Sequence, residues 1–331
     1  MVSTVAIEAR QAALRGSSRR AESVSLNWWE RRTRITAESR SCFSLHLVVA
    51  CFAVLLNLLA FSRTSMSAPK VHYVTVRTGP NIAVVKYWGK RDAGPLNLAC
   101  NASISLTMDN TDICAQTTVA TSASFQEDRL WLNGKEEKVA DSKRISGVLA
   151  QVRQRCKDPA VAAQHIHIVS RNSFPTAAGL ASSAAGFAAL TVAVAKLLGV
   201  QDSYPGELTT IARMGSGSAC RSLSGGLVKW HLGEKDDGTD SIATQEAPES
   251  HWPIDMTILV ANAAKKHTSS TSGMQNSIKT SALMAHRVKF CVDDRIERLT
   301  KVQFVLALSC RVPARRYFTV ACPFAIGLFG T

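Results

Sequence analysis

The sequence lacks closely spaced cysteines. None of its nine cysteines forms a Cys-x-x-Cys pair, and its eight histidines show no ligand spacing against them. Paired cysteines and histidines at short intervals are the usual signature of structural zinc sites and of disulfide frameworks. Their absence argues against both kinds of site. An odd number of scattered cysteines is instead typical of reduced thiols in a cytosolic enzyme.

Aromatic residues are also scarce, at 6% of the chain, although the formal net charge is +14. Nucleic-acid surfaces combine basic patches with aromatic side chains, and no segment here interleaves the two. Much of the excess charge lies at the ends of the sequence. Residues 1–65 contain nine Arg, four Glu and neither Lys nor Asp, and residues 302–331 contain three Arg and no acidic residue. We therefore expect no nucleic-acid partner.

A loop rich in small residues lies at 172–186, with the sequence Asn-Ser-Phe-Pro-Thr-Ala-Ala-Gly-Leu-Ala-Ser-Ser-Ala-Ala-Gly. The alternating run 165–169 before it predicts a strand, and the apolar run 187–198 after it predicts a helix. A strand, a glycine loop and a helix N-terminus together offer free N–H groups and a positive dipole end to a phosphate. No Lys follows the loop, which excludes the Gly-Lys-Ser/Thr phosphate loop of common nucleotide hydrolases. A tight turn before an alanine-rich core helix remains the alternative.

Three other segments have the composition of ligand-binding sites. Residues 80–91 place two lysines and two aromatic residues at the end of a predicted buried strand. Residues 215–222 form a second Gly/Ser loop with an arginine, and residues 265–273 form a third loop rich in Lys, Ser and Thr. Turn formation alone does not account for so many segments of this kind in one chain, and together they favour phosphate chemistry.

These segments together resemble the mevalonate diphosphate decarboxylase family, within the GHMP group of small-molecule kinases. The segments that carry the resemblance occur in the family's order: Lys-Tyr-Trp-Gly-Lys-Arg at 86–91, Glu-Asp-Arg-Leu-Trp-Leu-Asn-Gly at 127–134, the loop at 174–186, Ser-Gly-Ser-Ala-Cys-Arg at 216–221 and Ala-Pro-Glu-Ser-His-Trp-Pro at 247–253. The resemblance covers residues 66–301. The combination is far more specific than any single motif.

The resemblance implies an α+β fold of the GHMP type, with a mixed α/β N-terminal domain at 66–252 and the start of a ferredoxin-like C-terminal domain at 253–301. The interleaved patterns also favour α+β over a doubly wound sheet. Strands are predicted at 71–77, 82–86, 104–107, 115–120, 130–132, 165–169, 226–231 and 256–260, with a hairpin near Asn133-Gly134. Helices are predicted at 142–155, 180–198, 205–214, 216–223 and 277–301, the last of which allows for a break. Residues 302–331 are an apolar tail unlike the family's continuation, so we expect an incomplete C-terminal domain.

The resemblance also implies a set of site residues. Those expected to bind ATP are Pro175, Thr176, Ala178, Gly179, Leu180, Ala181, Ser182 and Ser183, with Ser182 as the Mg²⁺ ligand. Those expected to bind mevalonate 5-diphosphate are Tyr87, Trp88, Gly89, Lys90, Arg129, Ser216, Gly217, Ala219, Cys220 and Thr271. The expected catalytic residues are Lys86, Ser218 and Arg221. We assign the substrate carboxylate to Arg221 because a guanidinium offers a bidentate fork that lysine cannot. For Cys220, a small buried thiol is the alternative role.

The implied reaction is the ATP-dependent decarboxylation of mevalonate 5-diphosphate to isopentenyl diphosphate in isoprenoid and sterol biosynthesis, by a cytoplasmic homodimer. In the family, an aspartate in a late Asp-x-Gly-Pro-Asn-Ala segment deprotonates the substrate hydroxyl, and no such segment follows Lys301. Asp92 begins a similar Asp-Ala-Gly-Pro sequence, which is typical of a turn. We therefore expect impaired activity. A non-catalytic variant that at best binds nucleotide or substrate is the alternative, and the 216–221 loop disfavours a sister kinase that stops after phosphorylation.

Residues 1–65 lie outside the resemblance and contain an uncharged run at 41–62, bounded by Arg40 and Arg63. This run is long enough to span a bilayer. The arginines before it would then keep the N-terminus in the cytosol and carry the rest of the chain across the membrane, away from cytosolic ATP. Met66, just before the first predicted strand, resembles a natural start. We therefore expect residues 1–65 to be an extension from an upstream or misassigned reading frame, with a membrane anchor as the alternative.

Overall fold

A computed structural model describes residues 69–91, 94–174, 182–251, 254–256, 269–309 and 316–318, without the side chains of residues 255, 302–309 and 316–318. Most of the predicted ATP loop, Asp92 and the uncharged run at 41–62 therefore lie outside the described residues. A compact unit begins at Lys70 and contains the secondary structure given below. Among the described residues, no helix has both the length and the apolar character needed to cross a membrane.

The described strands form three sheets. In chain order they are β1 (His72–Thr78), β2 (Asn81–Val85), β3 (Ser103–Thr107), β4 (Ala115–Thr121), β5 (Arg129–Leu132), β6 (Lys135–Glu137), β7 (Ile166–Asn172), β8 (Gly226–Trp230), β9 (Ala243–Ala247), β10 (Ile254–Met256) and β11 (Arg316–Phe318). The first sheet has the order β1-β4-β7-β5-β6, and the second has the order β2-β3-β8-β9. The third is a parallel pair of β10 and β11.

The described helices are α1 (Lys143–Arg155), α2 (Pro159–Ala162), α3 (Ser182–Leu197), α4 (Glu207–Gly215), α5 (Ser270–Thr280), α6 (Ala282–His286) and α7 (Val292–Ser309). Short 3₁₀ helices cover Val139–Asp141, Gly217–Leu223 and Glu249–His251. A π-helical turn, Arg287–Cys291, joins α6 to α7. Helices and mixed sheets together confirm the predicted α+β class.

The first sheet packs one face against α1 and α3. Alternate residues of β4 are buried along its whole length, as expected of a strand with one face on a core. On α1 the buried residues follow helical spacing, at Ile145, Val148, Leu149 and Val152. The Ser142 side chain caps this helix by accepting a hydrogen bond from the Ile145 N–H. Most of the buried residues of α3 are alanines, and their small side chains let the helix lie close to the sheet.

The second sheet packs against α7. Ile104 and Leu227 from the sheet contact Val292 and Ile296 of the helix, with Leu299 partly buried beside them. The helix thus has one apolar face on the sheet, whereas Asp293 and Asp294 are exposed. This packing brings the C-terminal helices next to the strands that carry the candidate site.

Three of the differences from the sequence predictions concern the C-terminal helices and the second sheet. The helix predicted to end at Lys301 continues to Ser309, because residues 302–309 contain no glycine or proline to stop it. The helix predicted to begin at Ser277 begins at Ser270, where the Ser269 side chain accepts from the Ser272 N–H. Strand β9 was not predicted, because its sequence Ala-Thr-Gln-Glu-Ala has little strand character.

Candidate active site

The segment 86–90 leaves the end of β2 and contacts two different parts of the fold. The Tyr87 ring packs against Trp230, with ring centroids 4.7 Å apart. A Cβ atom built on Gly217 would lie 2.8 Å from the Tyr87 hydroxyl oxygen, so the two predicted substrate residues are neighbours. On its other side, Trp88 Nε1 donates to Ser277 Oγ of α5 at 3.0 Å. The segment therefore bridges the second Gly/Ser loop and the C-terminal helices.

The last two residues of this segment are held by local contacts. Gly89 has a φ of +105°, in the left-handed region that favours glycine. A Cβ atom there would also lie 2.6 Å from Cys100 Sγ and 2.8 Å from Ile278 Cδ1. Lys90 Nζ donates to Asn97 Oδ1 at 2.5 Å. Both the backbone at Gly89 and the ammonium group of Lys90 are thus fixed by the surrounding chain.

The second loop begins after α4 and continues as the 3₁₀ helix Gly217–Leu223. The hydroxyl oxygens of Ser216 and Ser183 lie 3.2 Å apart, and Ser183 is the second residue of α3. The Ser218 carbonyl accepts a hydrogen bond from Asn81 Nδ2 at 2.9 Å. The N-terminus of the helix that follows the first glycine loop therefore meets the second loop.

Ala219 and Cys220 lie on the side of this loop that faces the core, and both are buried. Cys220 is buried, packs with Trp230 and donates from Sγ to the Gly217 carbonyl at 3.1 Å. Burial raises the pKa of the Cys220 thiol to about 11, so it stays protonated near neutral pH. The side chain has the character of a structural thiol, and a substrate contact at Ala219 or Cys220 would have to involve the backbone.

Arg221 lies buried at the centre of the site, with 3% of its surface exposed. Nε donates to Ser105 Oγ at 3.0 Å, and Nη1 donates to Ser103 Oγ at 2.8 Å. Nη2 donates to Asn81 Oδ1 at 3.1 Å. The guanidinium carbon also lies 5.6 Å from the ring centroid of Trp230. All of these partners are neutral.

Within the described part of the chain, no carboxylate forms an ion pair with Arg221. Burial lowers the pKa of the Arg221 guanidinium, which nevertheless stays protonated at neutral pH. A buried cation without a counter-ion is costly, and three hydrogen bonds use only part of the five N–H groups of a guanidinium. This arrangement is suited to an anionic ligand, either a carboxylate or a phosphate.

Three partners of Arg221 were not predicted from the sequence: Asn81, Ser103 and Ser105. Ser103 and Ser105 point to the same side of β3 because strand residues two apart share a face. The Ser-x-Ser spacing at the start of β3 was the available signal. Asn81, at the start of β2, had no comparable signal, because a polar residue beside Pro80 is also typical of a turn.

Two predicted substrate residues have other surroundings. Arg129 Nη2 lies 2.7 Å from Glu136 Oε1, and its guanidinium carbon lies 4.8 Å from the Trp131 ring centroid. All three residues belong to the β5–β6 hairpin of the first sheet. Thr271 is exposed in the first turn of α5. Their contacts with substrate stay predictions.

A cavity of about 430 Å³ opens at the end of β7. Its lining includes Arg77, Gln116, Arg171, Asn172 and Ser173. It does not include Arg221, so it is a separate space from the arginine site. Strand β7 leads directly from this open cavity into the glycine loop.

The donor set for a metal ion is limited. Among the residues that the structure describes, no group of three or more His, Cys, Asp or Glu side chains could hold a metal ion. Mg²⁺ in phosphoryl-transfer sites is commonly bound by one or two protein groups together with substrate phosphates. Ser182, the predicted Mg²⁺ ligand, is the first residue of α3, and its role as a ligand stays a prediction.

Comparison with known proteins identifies relatives over most of the described residues. Residues 78–243 match the family model of the diphosphomevalonate decarboxylase-like N-terminal domain. Residues 256–303 match that of the mevalonate 5-diphosphate decarboxylase C-terminal domain. The diphosphomevalonate decarboxylase of Ganoderma lucidum is 46% identical over 239 residues, which cover 70% of this chain and 59% of that protein. The chain therefore spans well under two thirds of this relative's length.

Solved structures show the same fold. A 2.3 Å crystal structure of mevalonate 5-diphosphate decarboxylase has a TM-score of 0.63 and 45% identity, covering 70% of this chain and 61% of that one. A structure described as MDDEF in complex with MVAPP, AMPPCP and magnesium has a TM-score of 0.58 and 33% identity, covering 71% of this chain and 69% of that one. The predicted GHMP-type fold is thereby confirmed.

Proposed function

The chain belongs to the mevalonate diphosphate decarboxylase family, and we propose that its described residues form the substrate-binding part of an ATP-dependent decarboxylase. The proposed substrate is mevalonate 5-diphosphate. The γ-phosphoryl group of ATP is transferred to the tertiary 3-hydroxyl, which gives its proton to a base, and ADP is the leaving group. Phosphate then leaves with the C–O bond electrons, and the C1 carboxylate departs as CO₂ while its bonding pair forms the double bond of isopentenyl diphosphate.

The observation that carries this proposal is the buried Arg221, whose described partners are all neutral. A substrate carboxylate would supply the missing negative charge. Because the guanidinium is already oriented by Ser103, Ser105 and Asn81, little reorganisation is needed when the carboxylate arrives. The carboxylate must be held until CO₂ is lost, and a planar bidentate contact suits that task.

We place the nucleotide at the glycine loop. Ser183 lies at the N-terminus of α3 and touches Ser216, so a phosphoryl group at this helix end would be close to the loop that carries Arg221. The cavity at the end of β7 would receive the nucleoside, because the strand runs from its wall at Asn172 and Ser173 into the loop. When bound, Mg²⁺ would neutralise charge on the phosphates, with Ser182 as its protein ligand. The relative solved with MVAPP, AMPPCP and magnesium supports a nucleotide and Mg²⁺ as ligands in this family.

Lys86 and Lys90 lie at the ends of the segment that carries Tyr87, and their positive charge would favour the substrate diphosphate and the developing alkoxide. The family's base is an aspartate, and these 331 residues contain no Asp-x-Gly-Pro-Asn-Ala segment after Lys301. A positioned base contributes about 10²–10⁴-fold to the rate. We therefore propose that a polypeptide of these 331 residues binds substrate and nucleotide but turns them over weakly or not at all.

The test of the proposed function supplies the family's remaining C-terminal region. Residues 66–301 would be joined to the C-terminal region of the Ganoderma lucidum relative, beginning where that protein continues past the position that matches Lys301. We expect release of CO₂ in a one-to-one ratio with ADP when mevalonate 5-diphosphate, ATP and Mg²⁺ are supplied. A chimera that folds and binds ATP but releases no CO₂ would overturn the proposal.

The family resemblance also leads us to propose a cytoplasmic homodimer for the complete protein. Sedimentation equilibrium of the chimera tests the dimer directly, with the mass of two chains as the expected result. A monomer at micromolar concentration would contradict it.

A further inference from the structure

Arg287 reaches from the C-terminal helices to the end of β2. Its Nη2 donates to the Lys86 carbonyl at 2.5 Å, and its Nη1 donates to Asn101 Oδ1 at 3.2 Å. Asn101 Nδ2 donates to the same Lys86 carbonyl at 3.1 Å. The Lys86 carbonyl therefore accepts hydrogen bonds from both Arg287 and Asn101, and these two side chains are also hydrogen-bonded to each other.

We propose that Arg287 is a positioning residue that fixes the backbone of the Lys86–Trp88 segment so that Tyr87 faces the loop of Arg221. The inference rests on the proposed function in taking this segment as substrate-binding. Arg287 acts through the Lys86 carbonyl and Asn101, and nothing in the proposal requires it to touch substrate. The assignment adds a residue of the C-terminal helices to a site otherwise built from the sheets and the Gly/Ser loops.

The local helix geometry supports this role. Arg287 is the first residue of the π-helical turn Arg287–Cys291 between α6 and α7. Such turns are rare because they insert an extra residue into helical geometry, and they occur frequently at functional sites. Without the insertion, residues before and after the turn would be rotated relative to each other by about 100°, the angle of one residue in a helix of 3.6 residues per turn. The turn allows Arg287 to reach β2 while Val292 and Ile296 remain in the core.

A second contact from the same helices acts on the other end of the segment. Trp88 Nε1 donates to Ser277 Oγ, which itself donates to the Gly273 carbonyl at 2.9 Å. A Cβ atom built on Gly273 would lie 3.5 Å from Trp88, an ordinary contact distance, so the first turn of α5 packs beside the indole ring. The segment is thus anchored at the Lys86 carbonyl and at the Trp88 ring, with Tyr87 between the two anchors. Weaker hydrogen bonding at the Lys86 carbonyl would allow the peptide group between Lys86 and Tyr87 to rotate.

The first test measures backbone amide hydrogen exchange in the 331-residue protein, for a peptide that covers residues 86–90. Arg287→Met removes both hydrogen bonds of the guanidinium and leaves Asn101 as a donor to the Lys86 carbonyl. We expect exchange in this peptide to become at least about tenfold faster. Arg287→Lys keeps the charge and one donor, so it should restore part of the protection. Arg298→Met is the matched control, because Arg298 lies on α7 in an exposed ion pair with Asp294. Unchanged exchange in Arg287→Met would overturn the inference.

The second test measures affinity by isothermal titration. Arg287→Met should weaken mevalonate 5-diphosphate binding by roughly tenfold while ATP affinity stays unchanged, since the loss of hydrogen bonds to a charged donor is of this order. If Arg287→Met lowered the affinity for both ligands equally, Arg287 would have a general structural role and the inference would be overturned. A loss of thermal stability in both Arg287→Met and Arg287→Lys would overturn it as well. If the unaltered protein binds no mevalonate 5-diphosphate while exchange at 86–90 responds as expected, the proposed function fails and the positioning role stands.

Discussion

The hydroxyl oxygens of Ser183 and Ser216 lie 3.2 Å apart. This contact joins the helix that follows the glycine loop to the loop that carries Arg221. The two loops are predicted to bind different groups, the phosphates of ATP and the carboxylate of the substrate. Because the serines touch, a phosphoryl donor at the helix end and a substrate at the arginine would be neighbours, as phosphoryl transfer between them requires.

Replacement of Arg221 should separate substrate binding from nucleotide binding. We expect Arg221→Lys to weaken mevalonate 5-diphosphate binding by at least about tenfold, because lysine keeps the charge but loses the planar fork. ATP affinity should change little. Isothermal titration of each ligand measures both effects, with Arg295→Lys on the exposed side of α7 as the control. A comparable loss of ATP affinity would mean that Arg221 serves the nucleotide.

Gly89 should not tolerate a side chain. Gly89→Ala places a Cβ atom 2.6 Å from Cys100 Sγ and leaves a non-glycine residue at a φ of +105°. We expect the free energy of unfolding to fall by about 1–3 kcal/mol, the range for strained backbone and overpacking. Urea denaturation measures the change. Gly147→Ala is the matched control, because a Cβ atom there meets nothing within 4 Å, and helix propensity predicts a gain of up to about 1 kcal/mol. Equal stability of the two variants would refute the close packing at Gly89.

The contribution of Asp128 to the free energy of unfolding should decrease at acid pH. Burial alone raises its pKa, but hydrogen bonds from Arg153 and from the Ile166 N–H outweigh this effect, so the pKa of Asp128 lies below its ordinary value. The carboxylate therefore stabilises the fold above the unfolded-state pKa of about 4, and this contribution is lost as pH falls through the lower folded-state pKa. We expect Asp128→Asn to cost about 1–2 kcal/mol at pH 7 and less at pH 3. Urea midpoints measured from pH 7 to pH 3 test this. A pH-independent difference would contradict the assigned role.

Much of the fold could be predicted from local sequence. The alternation in β4 and β7 and the apolar spacing of α1 located these elements to within a few residues, because each buries one face. Asn133-Gly134 correctly predicted the β5–β6 hairpin, since both residues adopt positive φ values. Strand β9 and the end of α7 were less predictable, because β9 depends on pairing with β8 and α7 has no stop signal after Lys301.

The environment of Arg221 could not be predicted in the same way. Its partners lie 116 to 140 residues away in the sequence, on β2 and β3. Local patterns identified the loop, but only the tertiary fold shows that the guanidinium is buried among neutral partners. The same applies to Arg287, which lies 201 residues from Lys86 and had no motif of its own.

The most direct test of the central claim asks whether the Arg221 site distinguishes a carboxylate. Mevalonate 5-diphosphate and isopentenyl diphosphate share the diphosphate, but isopentenyl diphosphate lacks both the carboxylate and the 3-hydroxyl. Their affinities for the unaltered 331-residue protein and for Arg221→Lys can be compared by isothermal titration, so that the part of the difference that depends on Arg221 is isolated. We predict that mevalonate 5-diphosphate binds at least about tenfold more tightly, since a charged hydrogen-bonded contact is worth about 1.5–3 kcal/mol. This difference in affinity should become smaller in Arg221→Lys, because the bidentate contact with the carboxylate is lost. Equal affinity of the unaltered protein for the two ligands would contradict the account.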